Sequence, residues 1–432
     1  MDKERLKEFI ETHIDDDTDR LLFQKSKWPD IDMGTAVSTI LGHRKLKAKV
    51  PSWYRNPALI FPNSLCTEQC SSEFTAEAKV DSIRELVVED RGVTESGGCL
   101  SGLKIADLTG GLGVDSHVFS RHFKEVLYNE MNPVLAEAAK HNFKALGCGN
   151  ITVRSNMVCD GNAEGASADC NPASPAELLQ DFGPDIIYLD PARRSSDGKK
   201  VFRLEDCRPD ILKLKGSLLQ IARYIVVKLS PMADIGVVAE ALGRQCRRID
   251  VASAANECKE IVAYVDREYD GECTVCAKCS GKGEFTFTRN EEEEACAALP
   301  SGDRTGWKYL LEPDRALMKA GAYKLLCSRF GLAMLDRSTH YYVSDATNGS
   351  TDGLFRRFRI IRIFPLDKAG IKAACREFPQ AEVTARNIPI SSDELRKRLK
   401  VTASDRIHMF GLKVSSASGT DSGNLLMVTE RV

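Results

Sequence analysis

The hydrophobic residues of this chain change their spacing along its 432 positions. In residues 1–95 they recur mainly at helical spacing, as at Leu6, Phe9 and Ile10. Between about residues 103 and 266, short apolar runs alternate with amphipathic segments. After residue 266, hairpin-like strands and short helices follow one another. This pattern predicts a helical N-terminal region, a central α/β domain and small α+β domains after it.

In the central region, predicted strands alternate with predicted helices. This alternation is typical of a parallel sheet with helices on both faces. Its last two strands follow each other without a helix, so we expect them to pair antiparallel. The predicted strands are 103–106, 125–128, 151–153, 185–189, 224–228, 248–252 and 261–265, and the predicted helices are 114–122, 133–146, 208–222 and 233–243.

Breaks in the pattern divide the chain into four predicted domains, as its length also suggests. A glycine-rich break ends the first domain, and a polar segment that contains glycine precedes the last. The predicted domains are 1–95, 96–266, 267–350 and 351–432.

The composition, with 43% hydrophobic and 28% charged residues, is typical of a soluble globular protein. The N-terminus lacks the apolar core of a signal peptide. No apolar run reaches the roughly 18–20 residues needed to span a bilayer. Because the 15 cysteines are scattered singly, we expect reduced thiols in a cytoplasmic protein without membrane contact.

Basic residues are concentrated in two segments, although the net charge is only −2. Residues 351–432 contain 15 Lys and Arg against 9 Asp and Glu. The segment 44–55 is basic, with Trp53 and Tyr54 among its cations, and lies in a stretch without acidic residues. Both segments favour contact with a polyanion such as RNA. Solvated basic faces remain an equal alternative for either segment alone.

The motif Asp-Leu-Thr-Gly-Gly-Leu-Gly at 107–113 follows the first predicted strand and precedes a helix. Gly111 and Gly113 let the backbone turn tightly and approach a ligand. The third glycine of the dinucleotide fingerprint is replaced by Ser116, so the motif departs from that fingerprint.

Two carboxylates at successive strand ends suggest the kind of ligand. Asp107 would repel a pyrophosphate at the helix N-terminus, whereas it suits the α-ammonium of S-adenosylmethionine (SAM). Glu130 follows the second strand, where a carboxylate can accept hydrogen bonds from both ribose hydroxyls. Together with the glycines, these acids predict a SAM site.

The sequence Asp-Pro-Ala-Arg-Arg at 190–194 follows the fourth strand. Asp190 and the Pro191 carbonyl can present two acceptors to an exocyclic amine, and orienting this nitrogen is positioning catalysis. Arg193 and Arg194 can hold a phosphate. The alternative is that Asp190 caps the next segment and both arginines are solvated.

Other candidate residues have a structural interpretation at least as good as a functional one. Lys228 and Ser230 follow the fifth strand and can line an acceptor pocket, but a lysine at a sheet edge often extends its head to solvent. Cys273, Cys276 and Cys279 have the spacing of a metal knuckle. Strand positions i and i+3 face opposite sides, so we predict no metal site.

Taken together, these motifs resemble a bacterial family of class I SAM methyltransferases with a C-terminal THUMP-like domain, and more distantly the RNA cap trimethylguanosine synthases. The resemblance implies a Rossmann-like seven-stranded sheet, a ferredoxin-like domain within 267–350 and a THUMP-like domain within 351–432. THUMP domains are associated with RNA, especially tRNA. The motifs on which the resemblance rests are EQCSSE at 68–73, DLTGGLGVD at 107–115, NEMNP at 129–133, LDPARR at 189–194 and VKLSP at 227–231.

The resemblance also extends the predicted cofactor site to the N-terminal region. One departure is that Asn156 stands where an acid commonly contacts the adenine amine, so either Asn156 or Asp160 takes this role. The predicted SAM-binding residues are Asp107, Gly111, Gly113, Glu130, Met131, Asn156, Gln69, Ser72 and Phe74, and the predicted catalytic residues are Asp190, Pro191 and Arg193.

These interpretations predict methyl transfer from SAM to a nucleobase nitrogen of tRNA or rRNA. Methylation at pyrimidine C5 is disfavoured because VVKLSPM at 226–232 lacks the nucleophilic cysteine that this chemistry needs. Three alternatives remain open. They are a methyltransferase acting on protein or a small molecule, an inactive RNA-binding protein and a nicotinamide dehydrogenase.

Overall fold

The structure is a computed structural model that divides the chain into two compact units. The first unit comprises Met1–Arg247 and Val262–Gly271, and the second comprises Arg248–Ile261 and Glu272–Val432. The residues that the structure describes are 3–54, 56–91, 99–159, 171–193, 204–279, 283–300, 304, 306–345, 351–416 and 422–432.

The N-terminal part of the first unit is helical, as predicted. Helix starts are fixed locally. For example, the Asp32 carboxylate accepts hydrogen bonds from the backbone N–H groups of Gly34 and Thr35. Leu6 and Ile10 are buried in the core of these helices. The helices are α1 (Lys3–His13), α2 (Thr18–Phe23), α3 (Met33–Lys49), α4 (Pro51–Tyr54), α5 (Ser64–Gln69) and α6 (Glu73–Arg91), with a 3-10 turn at Lys25–Lys27.

All seven predicted strands of the α/β region are present. They are β1 (Lys104–Asp107), β2 (Glu125–Asn129), β3 (Ile151–Arg154), β6 (Ile186–Leu189), β9 (Tyr224–Leu229), β10 (Cys246–Ala254) and β11 (Glu257–Asp266). Short strands also occur at β4 (Met157–Val158), β5 (Pro172–Ala173), β7 (Ala192–Arg193) and β8 (Cys207–Arg208). The helices are α7 (Val114–Ser120), α8 (Pro133–Ala145), α9 (Pro175–Leu179), α10 (Ile211–Ile221) and α11 (Ile235–Leu242), with a 3-10 turn at Leu204–Asp206.

The strand order in the first unit is β11-β9-β6-β1-β2-β3. The pairs β1/β2, β2/β3, β1/β6 and β6/β9 are all parallel. The order reverses at β1, so the carboxyl ends of β1, β2 and β6 meet at a crevice where ligands bind in such sheets. The boundary between the two units runs through β10 and β11.

The second unit contains two groups of strands. In the first group, β12 (Thr274–Cys279) pairs parallel with β10 and antiparallel with β13 (Gly283–Thr288). The second group is a seven-stranded sheet in the order β15-β16-β14-β17-β20-β19-β18. Its strands are β14 (Tyr309–Pro313), β15 (Ala333–Met334), β16 (Tyr342–Ser344), β17 (Phe355–Pro365), β18 (Glu382–Arg386), β19 (Ile407–Val414) and β20 (Gly423–Arg431).

In the second unit, a glycine divides one helical stretch into two helices. The residues from Asp314 to Phe330 form two helices, because Gly321 at φ 86° terminates the first of them. The helices of this unit are α12 (Arg289–Glu294), α13 (Arg315–Ala320), α14 (Tyr323–Phe330), α15 (Lys368–Glu377) and α16 (Ser392–Leu399).

The described part of the chain contains neither a membrane-spanning helix nor a metal cluster. None of the helices there has the length and hydrophobicity needed to cross a bilayer. No group of three or more His, Cys, Asp or Glu side chains in that part is placed to hold a metal ion. Cys276 and Cys279 are buried in β12.

Substitution of Phe119 tests the packing of the α/β core. Its ring is completely buried and makes edge contacts with the rings of Phe123 and Tyr188. We expect Phe119→Ala to lower the free energy of unfolding by about 3–5 kcal/mol in urea denaturation. The matched control is Phe23→Ala, because Phe23 is 90% exposed and its loss should change this value by less than about 0.5 kcal/mol. Equal effects of the two substitutions would contradict this description of the core.

Candidate active site

The turn between β1 and α7 depends on its glycines. Gly111 and Gly113 have φ values of 54° and 89°, which side chains other than glycine rarely adopt. A Cβ atom at Gly113 would lie 2.6 Å from the ring of Phe143. At Gly110 it would lie 2.1 Å from the ring of Tyr128. The predicted glycine turn is therefore a close approach of backbone to two aromatic rings.

Asp107 lies at the end of β1 and is only 1% exposed. Its Oδ2 accepts a hydrogen bond from Ser116 Oγ at 2.7 Å, and its Oδ1 accepts one from the Thr109 backbone at 3.1 Å. Burial raises the pKa of this carboxyl to about 8, and the neighbouring carboxylates Asp115 and Asp190 add to the rise. Asp107 thus shapes the turn, and a contact with an ammonium group would add to these internal bonds.

Glu130 follows β2 and binds the glycine turn directly. Its Oε2 accepts a hydrogen bond from the Gly111 backbone at 2.9 Å, and its Oε1 accepts one from Asn132 at 2.8 Å. Asn132 in turn caps α8. The structure therefore brings together Gly111 and Glu130, which the sequence analysis assigned to one site.

Asn156 is joined to the turn through a residue that the sequence analysis did not single out. The buried side chain of Asn129 donates to the carbonyl groups of Leu108 and Asn156, at 3.1 and 3.0 Å. It also accepts from the Asn156 backbone at 3.0 Å. The loop after β3 is thereby fixed beside the loop after β1. Asp160, the alternative adenine contact, lies outside the described residues.

The other predicted cofactor residues lie at the ends of elements. Gln69 is exposed at the end of α5, and Phe74, at the start of α6, is 39% exposed. The Ser72 hydroxyl accepts a hydrogen bond from the Thr75 backbone at the start of α6. Met131, next to Glu130, is 37% exposed. Two apolar side chains with this exposure can cover the planar group of a ligand.

Asp190 lies directly after β6 and is fixed from two sides. Its backbone N–H donates to Thr109 Oγ1 at 2.5 Å, which joins it to the glycine turn. Its Oδ2 forms an ion pair with Lys228 Nζ at 2.6 Å, while the side chain remains 37% exposed. Pro191 is buried. The backbone of Arg193 lies in β7, but its side chain lies outside the described part of the structure. All of Arg194 lies outside the described part as well.

A buried polar network lies behind Asp190. Lys228 donates to Ser71 Oγ at 3.1 Å, and Ser71 donates to Asp115 Oδ2 at 2.6 Å. Asp115 also forms an ion pair with Lys79 at 3.2 Å, and the Lys79 side chain is 1% exposed. The network connects the N-terminal helices to the end of β6. It holds residues 69–74 next to this edge of the sheet.

The charges of this network are balanced. Burial would raise the pKa of Asp115, but the ammonium groups of Lys79 and Lys228 outweigh burial and lower it. The sequence analysis missed Ser71, Lys79 and Asp115. The position of Lys79 in the sequence is the signal that could have found it. Lys79 lies beside Val80 on the buried face of α6, where an unpaired lysine would be costly.

The basic C-terminal segment is largely ion-paired. Arg356 binds Glu312, Arg357 binds Asp352 and Arg362 binds Glu377. Arg359 and Arg406 share Glu430, Arg396 binds Glu382, and Arg398 binds Glu394. Several of these pairs are exposed, and exposed ion pairs contribute only about 0–1 kcal/mol. The guanidinium groups can therefore exchange their partners.

The described cations of residues 44–49 have structural partners as well. Arg44 donates to the backbone carbonyls of Ile14 and Asp16. Lys49 donates to the Glu68 carbonyl at 2.6 Å. Lys47 lies over the ring of Tyr54 at 5.6 Å.

Comparison with known proteins finds similarity along the whole chain. Residues 309–349 match a ferredoxin-like domain family, and residues 355–428 match a THUMP domain-like family. The chain is 24% identical to an uncharacterised SAM-dependent methyltransferase of Mycobacterium tuberculosis, over 74% of this chain and 80% of that protein. The crystal structure of a candidate methyltransferase from Porphyromonas gingivalis W83 matches with a TM-score of 0.77 and 26% identity, covering 100% of this chain and 99% of the other.

By fold and by sequence similarity, this chain is a SAM-dependent methyltransferase. The comparisons confirm the predicted Rossmann-like fold, with ferredoxin-like and THUMP-like domains at the C-terminus. The site residues fit the cofactor chemically. Glu130 is a fixed acceptor at the end of the second strand, bonded to the glycine turn beside it. Asp107 supplies a buried acid that a cation would stabilise in its ionised form.

Glu130→Ala tests the cofactor site. We expect binding of S-adenosylhomocysteine, measured by calorimetry, to weaken by roughly 10- to 100-fold, since hydrogen bonds to a charged acceptor contribute about 1.5–3 kcal/mol. The matched control is Glu125→Ala at the opposite end of β2, where Glu125 pairs with Lys104 at 3.1 Å. Binding should be unchanged in the control. An unchanged affinity in the Glu130 variant would exclude this carboxylate from the site.

Asp107→Asn tests the raised pKa of Asp107. A carboxyl whose folded pKa lies above its unfolded value destabilises the fold increasingly as pH rises between the two values, here from about 4 to about 8. Without ligand, the variant should therefore be more stable than the parent protein at pH 8, by an amount that grows by roughly 1 kcal/mol per pH unit over this window. Urea denaturation from pH 5 to pH 9 measures it.

The control for this experiment is Asp115→Asn, which should have the opposite effect. It removes one partner of a buried ion pair and should destabilise the protein at pH 7 by about 3–5 kcal/mol. If the Asp107 variant is destabilised in the same way and with the same pH dependence, the Asp107 carboxyl is ionised and paired rather than protonated.

Proposed function

We propose that this methyltransferase transfers the methyl group of SAM to a nucleobase nitrogen of tRNA or rRNA. The main support for an RNA substrate is the match of residues 355–428 to a THUMP domain-like family. Domains of the THUMP class are associated with RNA. The exposed arginines of the same segment support the proposal, since Arg359, Arg362 and Arg406 are 59%, 63% and 77% exposed. They can exchange weak ion pairs for phosphate contacts.

Asp190 is the residue that we assign to the acceptor nitrogen. Its carboxylate is partly exposed at the carboxyl end of β6, and Lys228 holds one of its oxygens. An exocyclic N–H can donate to this carboxylate, which turns the nitrogen lone pair toward the methyl donor. The Pro191 carbonyl is the second acceptor in this proposal, and Arg193 binds a substrate phosphate.

The chemistry needs only a few groups. Bound SAM would supply the electrophilic methyl group. The chain orients the nitrogen through Asp190, and this carboxylate stabilises the positive charge that develops on the nitrogen. Lys228 keeps the carboxylate in place, because its ammonium group is itself held by Ser71. A base inside a duplex would first have to leave the stack.

Asp190→Asn is the experiment that tests this proposal. Purified protein is incubated with methyl-labelled SAM and total RNA from cells that lack it, and the nucleosides are analysed by mass spectrometry. The parent protein should produce one methylated nucleoside, with the methyl group on a nitrogen. In the Asp190 variant the rate should fall by roughly 100-fold or more, while the affinity for S-adenosylhomocysteine stays within about twofold.

The matched control is Asp181→Asn, since Asp181 is an exposed residue shortly before β6. It should retain the parent rate. Label that appears only in protein or in small molecules would contradict the RNA substrate. An Asp190 variant that methylates RNA at the parent rate would exclude Asp190 as the orienting residue.

A further inference from the structure

A polar cavity of about 290 Å³ lies in the second unit, apart from the residues of the cofactor site. It is formed by the start of α13, the loop between β15 and β16, and the end of β18. Buried Thr339 and Tyr341 lie on its wall, whereas Ser338 and Asn387 are exposed. A volume near 300 Å³ is at the lower end of the range for small-ligand sites.

The charge of the cavity is positive. Glu312 contributes a negative charge, but it is bound by Arg356 at 2.8 Å and by Arg315 at 3.5 Å. Tyr341 also donates its hydroxyl to this carboxylate at 2.7 Å. Arg386 lines the cavity together with Tyr341. Two guanidinium groups, Arg315 and Arg386, thus line the cavity around one carboxylate that is already compensated.

Two residues of the wall have a backbone conformation that is uncommon outside glycine. His340 and Asn387 have φ values of 52° and 55°. The Asn387 amide is held by Asp336 at 3.3 Å and by Thr339 at 3.5 Å. Such strain persists only where the surroundings enforce it, and it clusters at ligand sites.

The imidazole of His340 leaves one polar atom unused. Its ring stacks on Tyr323, with 3.7 Å between ring centroids and an interplanar angle of 15°. Its Nδ1 is buried and has no hydrogen-bond partner among the described residues. A buried polar atom without a partner is costly.

We propose that this cavity binds the phosphate monoester of a nucleotide. Guanidinium groups bind phosphate oxygens in a bidentate geometry, and hydroxyl and amide groups complete the donors that such an anion needs. The volume leaves room for a sugar or base beside the phosphate. The ester can be the terminal phosphate of an RNA chain or a free nucleotide. This proposal stands independently of the reaction assigned to the first unit.

The test compares phosphorylated and unphosphorylated ligands on the full-length protein. Calorimetry is carried out with a short single-stranded RNA carrying a 5′-phosphate, a 3′-phosphate or only hydroxyl ends, and with AMP and adenosine. We expect a phosphorylated ligand to bind at least about tenfold more tightly than its hydroxyl counterpart. Tight binding of the RNA alone identifies a chain end, and equal binding of AMP identifies a free nucleotide.

Arg386→Gln should abolish the preference for the phosphate, with a loss of roughly tenfold or more. The matched control is Arg289→Gln, because Arg289 is an exposed arginine of the same unit paired with Glu293 and does not line the cavity. It should keep the preference. Equal binding of phosphorylated and hydroxyl ligands by the parent protein would overturn the proposal. So would an equal loss in both variants, or tighter binding of a phosphoserine peptide.

Discussion

The arrangement of the active site depends on one short turn that bonds to two strand ends. The backbone N–H of Gly111 donates to Glu130, and the hydroxyl of Thr109 accepts from the backbone of Asp190. The turn therefore fixes the proposed cofactor acid and the proposed catalytic acid at the same edge of the sheet. Its path requires glycine at Gly110 and Gly113, where a Cβ atom would collide with aromatic rings. A site on rigid strand ends keeps its geometry better than one on a long loop.

The second constraint is the buried chain of charges behind Asp190. Buried ions need partners, and here two lysines alternate with two carboxylates through Ser71. Ser71 and Lys79 come from the N-terminal helices, so that region contributes to the site through its contacts rather than only as an appended domain. A change in the N-terminal helices should therefore reach Asp190, the proposed catalytic carboxylate, through Lys228 and Asp115.

Much of this could be predicted from sequence because the signals were local. The seven strands followed from short apolar runs, and the assignment of Gly111 and Glu130 to one site followed from their places after two successive strands. The network of Ser71, Lys79 and Asp115 could not, because it joins residues far apart in the chain.

Two further differences have the same cause. Asp107 was expected to face a ligand, and its burial and its bonds to Ser116 became visible only with the turn in three dimensions. The arginines of the C-terminal segment were read as a net charge, whereas the fold places carboxylates such as Glu430 beside them. Composition gives charge but not its partners. The cavity around His340 likewise depends on tertiary structure.

A crystal structure of the protein with S-adenosylhomocysteine tests the proposed site most directly. We predict the ligand in the crevice beside residues 107–113, with its ribose hydroxyls bound to Glu130 and its sulfur facing Asp190. Density elsewhere, or a crevice closed by protein side chains, would contradict it.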